Sequence, residues 1–416
     1  MVGMGLLRDG DFRRLWAADV ISQVGTGVSA LAVPLLAVTV LDATGFEVAL
    51  LRFGQTVAFL LIGLQVGVWC DRLRCRPLLV VADLGRFLAL LSVPVTAYLG
   101  ALTLGQLYAV VLVVGTLTVV FDIAHPSYVP RLIARDHLVE ANTKLQLNRS
   151  AAAIAAPTLA GALVQWVSAP AALLVDACTY LWSALWLRSI RAAEEPPVVE
   201  RRRMWPEVRE GLAVVFGHPV LRAIGCHGFT FALFQSAHLA VVVVFLVRDL
   251  HLTPAVIGLL GSTGLCGAVS AALLTGRLTA WLGGARLMWV SGIACGVTFP
   301  LFPLTTPGWG LVAYVVATFG TSFGIICLSV LVVSYRQAVC PPHVLGRVNA
   351  TSHVLVWGAI PLGSLLGGVL STALGLRGTL AVAAAGVLLS SLWLVLSPLR
   401  GLRDLPAAPG VPVAGG

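Results

Sequence analysis

Lysine is almost missing from this chain: of its 27 basic side chains, all but Lys144 are arginine. Charge of either sign is scarce. Asp, Glu, Lys and Arg make up 11% of the 416 residues, while 58% are hydrophobic; soluble domains carry about 25% charged residues. A water-soluble chain this apolar lacks the polar side chains to cover its own surface. Most of it must therefore have lipid as solvent. The single lysine also bounds the energetics. A phosphate-binding loop of the form G-x-x-x-x-G-K-[ST] needs its Lys on the nucleotide, and Lys144 sits in NTKLQ. A chain that powers itself with ATP is excluded.

Other absences narrow the field further. The 8 Cys include no CxxC pair, and most lie inside apolar runs, where Cys behaves as a small hydrophobe. No disulfide framework, zinc site or other metal centre is expected. The 8 His are scattered, with no HExxH and no nucleophile elbow, so no enzyme and no cofactor is expected. No attached signalling domain and no obvious ion filter speak for a receptor or a channel. The formal charge of +9 raises nucleic acid as a partner. The Arg residues fall instead in short loops between apolar runs, and no nucleic acid is expected. No cleavable signal segment is expected either, since Arg8, Asp9, Asp11, Arg13 and Arg14 precede an apolar run too long for one.

What is present is a succession of apolar runs of bilayer length. About 20 apolar residues cross a membrane as a helix. The runs predict twelve spans, near 15–41, 46–70, 77–99, 104–125, 143–167, 169–189, 220–247, 254–280, 285–305, 309–335, 345–373 and 376–397. They are continuous rather than alternating, which selects helices over a barrel. Arginine placement tests the count. With twelve spans, 23 of the 27 basic residues fall on one side, and a miscounted span would scramble that bias. The exceptions are Arg52, Arg86, Arg248 and Arg377. Both termini are therefore expected in the cytoplasm, and the protein in the inner (cytoplasmic) membrane of a bacterium, as a monomer.

The longest polar stretch, 190–219, reads as a linker between an N-terminal six-helix half (1–189) and a C-terminal one (220–398). Pro196 and Pro197 break any helix there. Beyond them Trp205, Val208, Leu212 and Val215 recur at helical spacing, which predicts a short amphipathic helix on the inner membrane surface. The tail, 399–416, is expected to be disordered. The two halves also echo each other. "SYVPRLIARDHLVEAN" at Ser127 has a shadow, "SYRQAVCPPHVLGRVN", 207 residues later at Ser334. Ser127, Tyr128, Leu138 and Asn142 match Ser334, Tyr335, Leu345 and Asn349, and Gly161 matches Gly368. Nearer the start of each half Arg13, Thr44 and Gly67 match Arg222, Thr253 and Gly276. A duplicated six-helix unit is implied, with both copies entering from the same side. Such parallel repeats belong to transporters that rock two halves about a central site.

Twelve spans, a basic central linker and "GVWCDRLRCR" after the second span resemble the major facilitator superfamily. Its signature there reads G-x-x-x-D-R-x-x-R-R. Gly67, Asp71, Arg72 and Arg76 match, and Cys75 stands where an Arg is usual. "FRRLW", "SYVPRLI…LVEAN" and "DACTYLWSALWL" are similar to the enterobactin-exporter and macrolide-efflux branch. The resemblance implies an all-α membrane fold of two parallel six-helix repeats. It also implies that Gly67, Asp71, Arg72 and Arg76 act as a conformational latch on the cytoplasmic side. The repeat copy has Ala280 where the acid would stand, so only one latch is complete. "AAPTLAG" on the fifth span resembles the exporter motif G-P-x-x-G-G through Pro157 and Gly161, with Ala156 and Ala160 replacing glycines. Gly63 and Gly67 have the GxxxG spacing that lets helices pack closely in lipid.

Charges inside spans are costly and mark function or a neutralised cluster. Asp83 and Arg86, three apart, share a helix face and form an intramembrane charge cluster, with Asp122 as a third member. Asp19, on one face with Gln23 and Thr26, and Asp176 have no basic neighbour in sequence. They are the proton-coupling candidates, and each is equally compatible with a hydrogen-bonded packing role. Gln23, His227, Gln235 and His238 are polar among apolar neighbours and are cavity candidates; for each His a bond to a backbone carbonyl is the plainer alternative. Few charges line the second half, which suits a bulky, largely apolar or amphipathic small molecule. The expected function is proton-coupled efflux of such a substrate. An importer on the same fold and a non-transporting sensor are the alternatives.

Overall fold

The structure, a computed structural model, describes residues 6–134, 137–192, 194, 212–340 and 342–404. Every described element is helical. The first six are α1 (Gly10–Thr39), α2 (Gly45–Arg72), α3 (Cys75–Tyr98), α4 (Leu104–Leu132), α5 (Leu138–Trp166) and α6 (Ala169–Ser189). Then follow α7 (Pro219–Arg248), α8 (Pro254–Leu282), α9 (Gly284–Thr298), α10 (Leu311–Val339) and α11 (Pro342–Val395).

Local chemistry sets several of the helix starts. The Asp9 carboxylate accepts from the Asp11 and Phe12 N–H groups ahead of α1. Thr44 and Glu47 form a reciprocal capping box on α2, and Ser168 caps α6 through the Ala171 N–H. These satisfy orphan donors that a helix end in or near lipid cannot leave bare. α11 runs 54 residues, about 80 Å of helix if it were continuous. It is not continuous. Gly375 has φ 71° and ψ 177°, a conformation open to glycine, and divides it into arms 342–374 and 376–395.

Among the described residues, ten helical segments are long and apolar enough to cross a bilayer. One of them, Val344–Val395, contains the Gly375 break and so holds two bilayer lengths. α5 is not among the ten; Lys144, Asn148 and Arg149 lie in its first half. Large apolar side chains such as Leu61, Val81, Leu88 and Leu273 are exposed, as a lipid-facing surface requires. Tyr98, Trp166 and Trp309 at helix ends are nearly bare, the placement of interfacial aromatic anchors.

The chain divides into two compact units. The first holds residues 1–201 together with 246–262; the second holds 202–245 and 263–416. In the first, α1 packs on α5 and α6, α3 on α4 and α6, and α2 on α4. Its core gathers at the end where α1 begins, around Phe12, Leu15, Leu79, Tyr128 and Leu187. In the second, α9 packs on α10 and α11, and its core gathers where α7 and α11 begin and α10 ends, around Leu221, Met288, Leu331, Tyr335 and Val348.

The repeated Ser-Tyr pair has a common structural role. Tyr128 and Tyr335 are each fully buried in their unit's core. Ser127 and Ser334 each donate to the carbonyl four residues back, Ile123 and Val330, at 3.0 Å. Both pairs are the closing turns of a helix, where a buried ring fixes the helix end. The span bounds 104–125 and 143–167 leave Ser127–Asn142 between helices. Instead α4 runs on to Leu132 and α5 begins at Leu138. In the expected linker, 212–217 are helical and Val215 is buried in the second core. Trp205 and Val208 of that expected amphipathic helix lie outside the described residues, as does the tail beyond 404; the start of the tail, expected to be disordered, is ordered instead, with a 3-10 turn at Pro398–Gly401 that buries Leu399 in the second core.

Candidate functional site

The signature residues sit at the end of the first unit where α1 begins. Arg76, in the first turn of α3, donates from Nε to the Leu187 carbonyl at 3.0 Å and from Nη2 to the Arg188 carbonyl. Its guanidinium thus satisfies the carbonyls that end α6. The Glu194 carboxylate accepts from the Cys75 and Arg76 N–H groups at 2.6 and 3.0 Å. It caps the N-terminus of α3, where the helix dipole favours an anion. Arg131 of α4 reaches Glu194 at 2.8 Å and the Cys70 carbonyl at 2.8 Å. The signature loop is therefore clamped from α3, α4 and the segment after α6. Glu194 and Arg131 were not among the sequence candidates, since an acid in a polar linker and an Arg at a helix end look ordinary. Arg72 is exposed and the Asp71 side chain lies outside the described residues. A Cβ at Gly67 would meet nothing within 4 Å, and at Gly63 only Phe59 of the same helix. Among the described residues the close crossing expected of that GxxxG spacing is not formed there.

Close crossings lie elsewhere. A Cβ on Gly161 would lie 3.0 Å from the Gly258 Cα, and one on Gly258 would lie 3.0 Å from the Gly161 Cα. Pro157 packs on Gly261, and the Thr158 and Ser262 hydroxyls bond at 2.6 Å. The exporter-like pair Pro157 and Gly161 is the α5 side of a tight crossing with the start of α8. Backbones meet there because neither side carries a side chain.

Deeper in the first unit lies a band of polar groups. Arg86 and Asp83 of α3 form a buried ion pair. The Arg86 guanidinium also lies between the Phe121 and Tyr180 rings, 4.3 Å from each centroid. Each cation–π contact is worth about 0.5–2 kcal/mol. Asp122 stands apart from the bonded pair but within electrostatic reach of Arg86. Its side chain is exposed and makes no hydrogen bond or ion pair among the described residues.

Asp19 of α1 is buried with three neighbours. Asn148 of α5 donates to it at 2.8 Å, Gln23 donates at 3.3 Å, and His125 Nε2 lies 3.8 Å away. The polar partners from α4 and α5 are far away in sequence. Asp176 of α6 is fully buried. Ser29 of α1 donates to its carboxylate, as does Thr179 at 3.1 Å. One turn along, Thr26 and Tyr180 join hydroxyls at 3.0 Å. Gly25 makes room for this, since a Cβ there would overlap Thr179 and Asp176. Ser29 extends the stripe Asp19, Gln23, Thr26 at helical spacing, a signal the sequence did carry.

In the second unit, His227 and Gln235 of α7 line a cavity of about 410 Å³ with residues of α9, α10 and α11. His227 Nδ1 is 2.9 Å from the Ser390 carbonyl, and its ring stacks on Phe231. His238 is not with them. It is buried against Phe299 and Phe302, with ring centroids 4.9 and 4.3 Å away.

Long apolar helices carrying buried acids, a buried ion pair and a helix-lined cavity define a multi-pass membrane transporter of a small molecule. The chain belongs to the transmembrane secretion effector family of the major facilitator superfamily, whose model matches residues 2–411. It is 27% identical to the enterobactin exporter EntS of Citrobacter koseri, covering 97% of this chain and 96% of that one. It is 26% identical to the multidrug efflux pump Tap of Mycobacterium tuberculosis, covering 94% of each. Among solved structures, the fold is shared with a bacterial homologue of the iron transporter ferroportin in its inward-facing state. The TM-score is 0.74 at 17% identity, over 94% of this chain and 98% of that one. The nucleoside transporter NupG gives 0.74 at 11% identity, over 94% and 99%. The all-α major facilitator fold expected from the sequence is the observed one.

Proposed function

We propose that this transporter is a proton-coupled exporter of a small amphipathic molecule such as a drug, a siderophore or a secondary metabolite. It works by alternating access as a monomer in the cytoplasmic membrane. Counting α5 and the two arms of α11 as spans gives twelve, with both termini in the cytoplasm by the arginine bias. The halves are 1–189 and 220–398, joined by 190–219. Gly67, Asp71, Arg72 and Arg76 form the latch. The two named efflux relatives, matched end to end, support the outward direction.

The observation that carries the coupling is the carboxylate of Asp176. It lies fully buried among helices and is held by the hydroxyls of Ser29 and Thr179. Hydroxyls serve a neutral or an ionised carboxyl as donor or acceptor, so these partners do not fix its charge. Asp19, held by an amide from each of two helices, is the second such acid. Asp83 is weaker, because Arg86 is its counter-ion.

The test is accumulation in everted membrane vesicles across a panel of dyes, antibiotics and siderophores. At least one compound is expected to accumulate, and collapse of the proton gradient abolishes that uptake. Accumulation only in right-side-out vesicles makes the protein an importer. No gradient-dependent movement of any compound in either orientation removes the transport coupling proposed.

A further inference from the structure

We infer that the cavity of the second unit is an anion-selective subsite, which takes the acidic or electron-rich end of an aromatic substrate. The inference rests on the exporter reading for its biological use, though not for its chemistry. Three observations carry it. First, the sequence has no Asp or Glu between Asp249 and Asp404, so α8 to α11 contribute no carboxylate to the cavity wall. α7, which also lines it, has none either.

Second, the wall carries one guanidinium and, along its length, groups able to donate. Arg336, in the last turn of α10, lines the cavity half-buried, and its guanidinium makes no ion pair or hydrogen bond among the described residues. His353 lines it from α11. Gln235 is half-buried further along α7, and its amide likewise bonds no described residue. An Arg half-removed from water with no described carboxylate beside it is poised for an anion, and its planar fork suits a carboxylate or phenolate. Third, the walls between these groups are aromatic and aliphatic. Phe231, Trp357, Ile325 and Val356 offer flat, apolar contact. A cationic molecule of the same size finds no acid among the described lining residues and meets Arg336 as a like charge.

The geometry also orients the ligand. Arg336 closes α10 at the end of the unit where α7 and α11 begin. Gln235 and Ile360 lie several turns inward along those helices. The anionic group sits at the Arg336 end, and the ring system extends inward along Phe231 toward Gln235.

The probes are two xanthene dyes of one shape and opposite charge, fluorescein and tetramethylrhodamine ethyl ester. They are titrated by fluorescence anisotropy against the purified full chain in phosphatidylcholine nanodiscs, above neutral pH. Fluorescein is expected to bind saturably and at least about tenfold tighter than the cation, the worth of one charge-assisted hydrogen bond. Arg336→Gln is expected to remove that preference, and Arg336→Lys to keep most of it. Gln235→Leu, which leaves every charge in place, should weaken fluorescein about threefold to tenfold. It serves as the readout if Arg336→Gln does not fold. Equal or tighter binding of the cation overturns the inference. So does absence of binding by both dyes, or an Arg336→Gln chain that binds fluorescein like the parent. Fluorescein that binds as expected but never accumulates in everted vesicles leaves the subsite standing and counts against export. Export of cations alone does the reverse.

Discussion

Asn148 of α5 donates its side-chain amide to the Asp19 carboxylate of α1 at 2.8 Å, and both groups are buried. With Gln23 on one side and His125 on the other, three helices converge on one acid. Asn148→Leu leaves a buried carboxyl oxygen without its amide partner, a loss of about 1–3 kcal/mol. A lower thermal midpoint for the purified chain is expected. Asp19→Asn, which keeps the shape, is expected to fold normally and to exchange substrate downhill. It should fail in efflux driven by a pH gradient. Full gradient-driven efflux by Asp19→Asn assigns this acid to packing.

The Asp83–Arg86 pair predicts an asymmetry. Arg86→Gln leaves a buried carboxylate without its counter-ion and empties the space between Phe121 and Tyr180. Breaking a buried pair from one side costs about 3–5 kcal/mol. Replacing both partners with apolar groups of similar volume costs far less. The double variant Asp83→Leu with Arg86→Met should therefore unfold at a higher temperature than Arg86→Gln alone. A double variant less stable than the single one would show that the pair itself stabilises the fold.

Apolar run length and arginine placement made the helices legible in the sequence. The repeat made the buried Tyr128 and Tyr335 findable. What could not be read was which helices meet. Asp19 looked unpartnered because His125 and Asn148 belong to α4 and α5, more than a hundred residues on. Gly63 and Gly67 looked like a packing seam, while the seam formed at Gly161 and Gly258. Spacing along one helix says nothing of the backbone opposite. His238 read as a cavity residue because it is polar among apolar neighbours along its span; the Phe299 and Phe302 rings that bury it come from elsewhere in the chain. Ser29 was legible but not picked out, since it continues the helical spacing of Asp19, Gln23 and Thr26.

The α5–α8 crossing gives a sharp glycine test. At Gly161 and Gly258 the obstructing atoms are backbone of the other helix, so no rotamer change can make room. Gly161→Ala is expected to cost about 1–3 kcal/mol through forced separation. Gly105→Ala, where a Cβ meets nothing within 4 Å, serves as control. Thermal midpoints of the two variants in one detergent decide the matter, and equal midpoints would dismiss the tight crossing.

Glu194 offers a separate test of the signature loop. It caps α3 through two N–H groups and pairs with Arg131. Glu194→Gln and Arg131→Gln should each impair transport, and the double variant should be little worse than either, because residues in one network are non-additive. Asp71→Asn, the latch variant, should also lose transport while inserting normally. Strictly additive losses for Glu194 and Arg131 would separate the two residues. Normal efflux by a well-expressed Asp71→Asn chain would remove the latch.

Asp176 carries the coupling proposal, and its surroundings allow a test with internal controls. Its carboxylate takes hydrogen bonds from Ser29 and Thr179, and Gly25 is the gap through which α1 comes close enough to provide the first. If the acid exchanges a proton in each cycle, Asp176→Asn abolishes pH-gradient-driven efflux and spares downhill exchange, because the two reactions differ only in reloading the proton. Ser29→Ala removes one hydroxyl and keeps the acid, so coupling should persist with a changed pH dependence. Gly25→Ala pushes a methyl group into Thr179 and Asp176 and should destabilise the chain by about 1–3 kcal/mol. Pairing it with Thr179→Ala should restore part of that loss. A purely structural acid gives a different pattern. In that case Asp176→Asn lowers the thermal midpoint along with both transport reactions, and Ser29→Ala leaves the pH profile where it was. Vesicle assays of efflux and exchange on the same preparations separate the two outcomes.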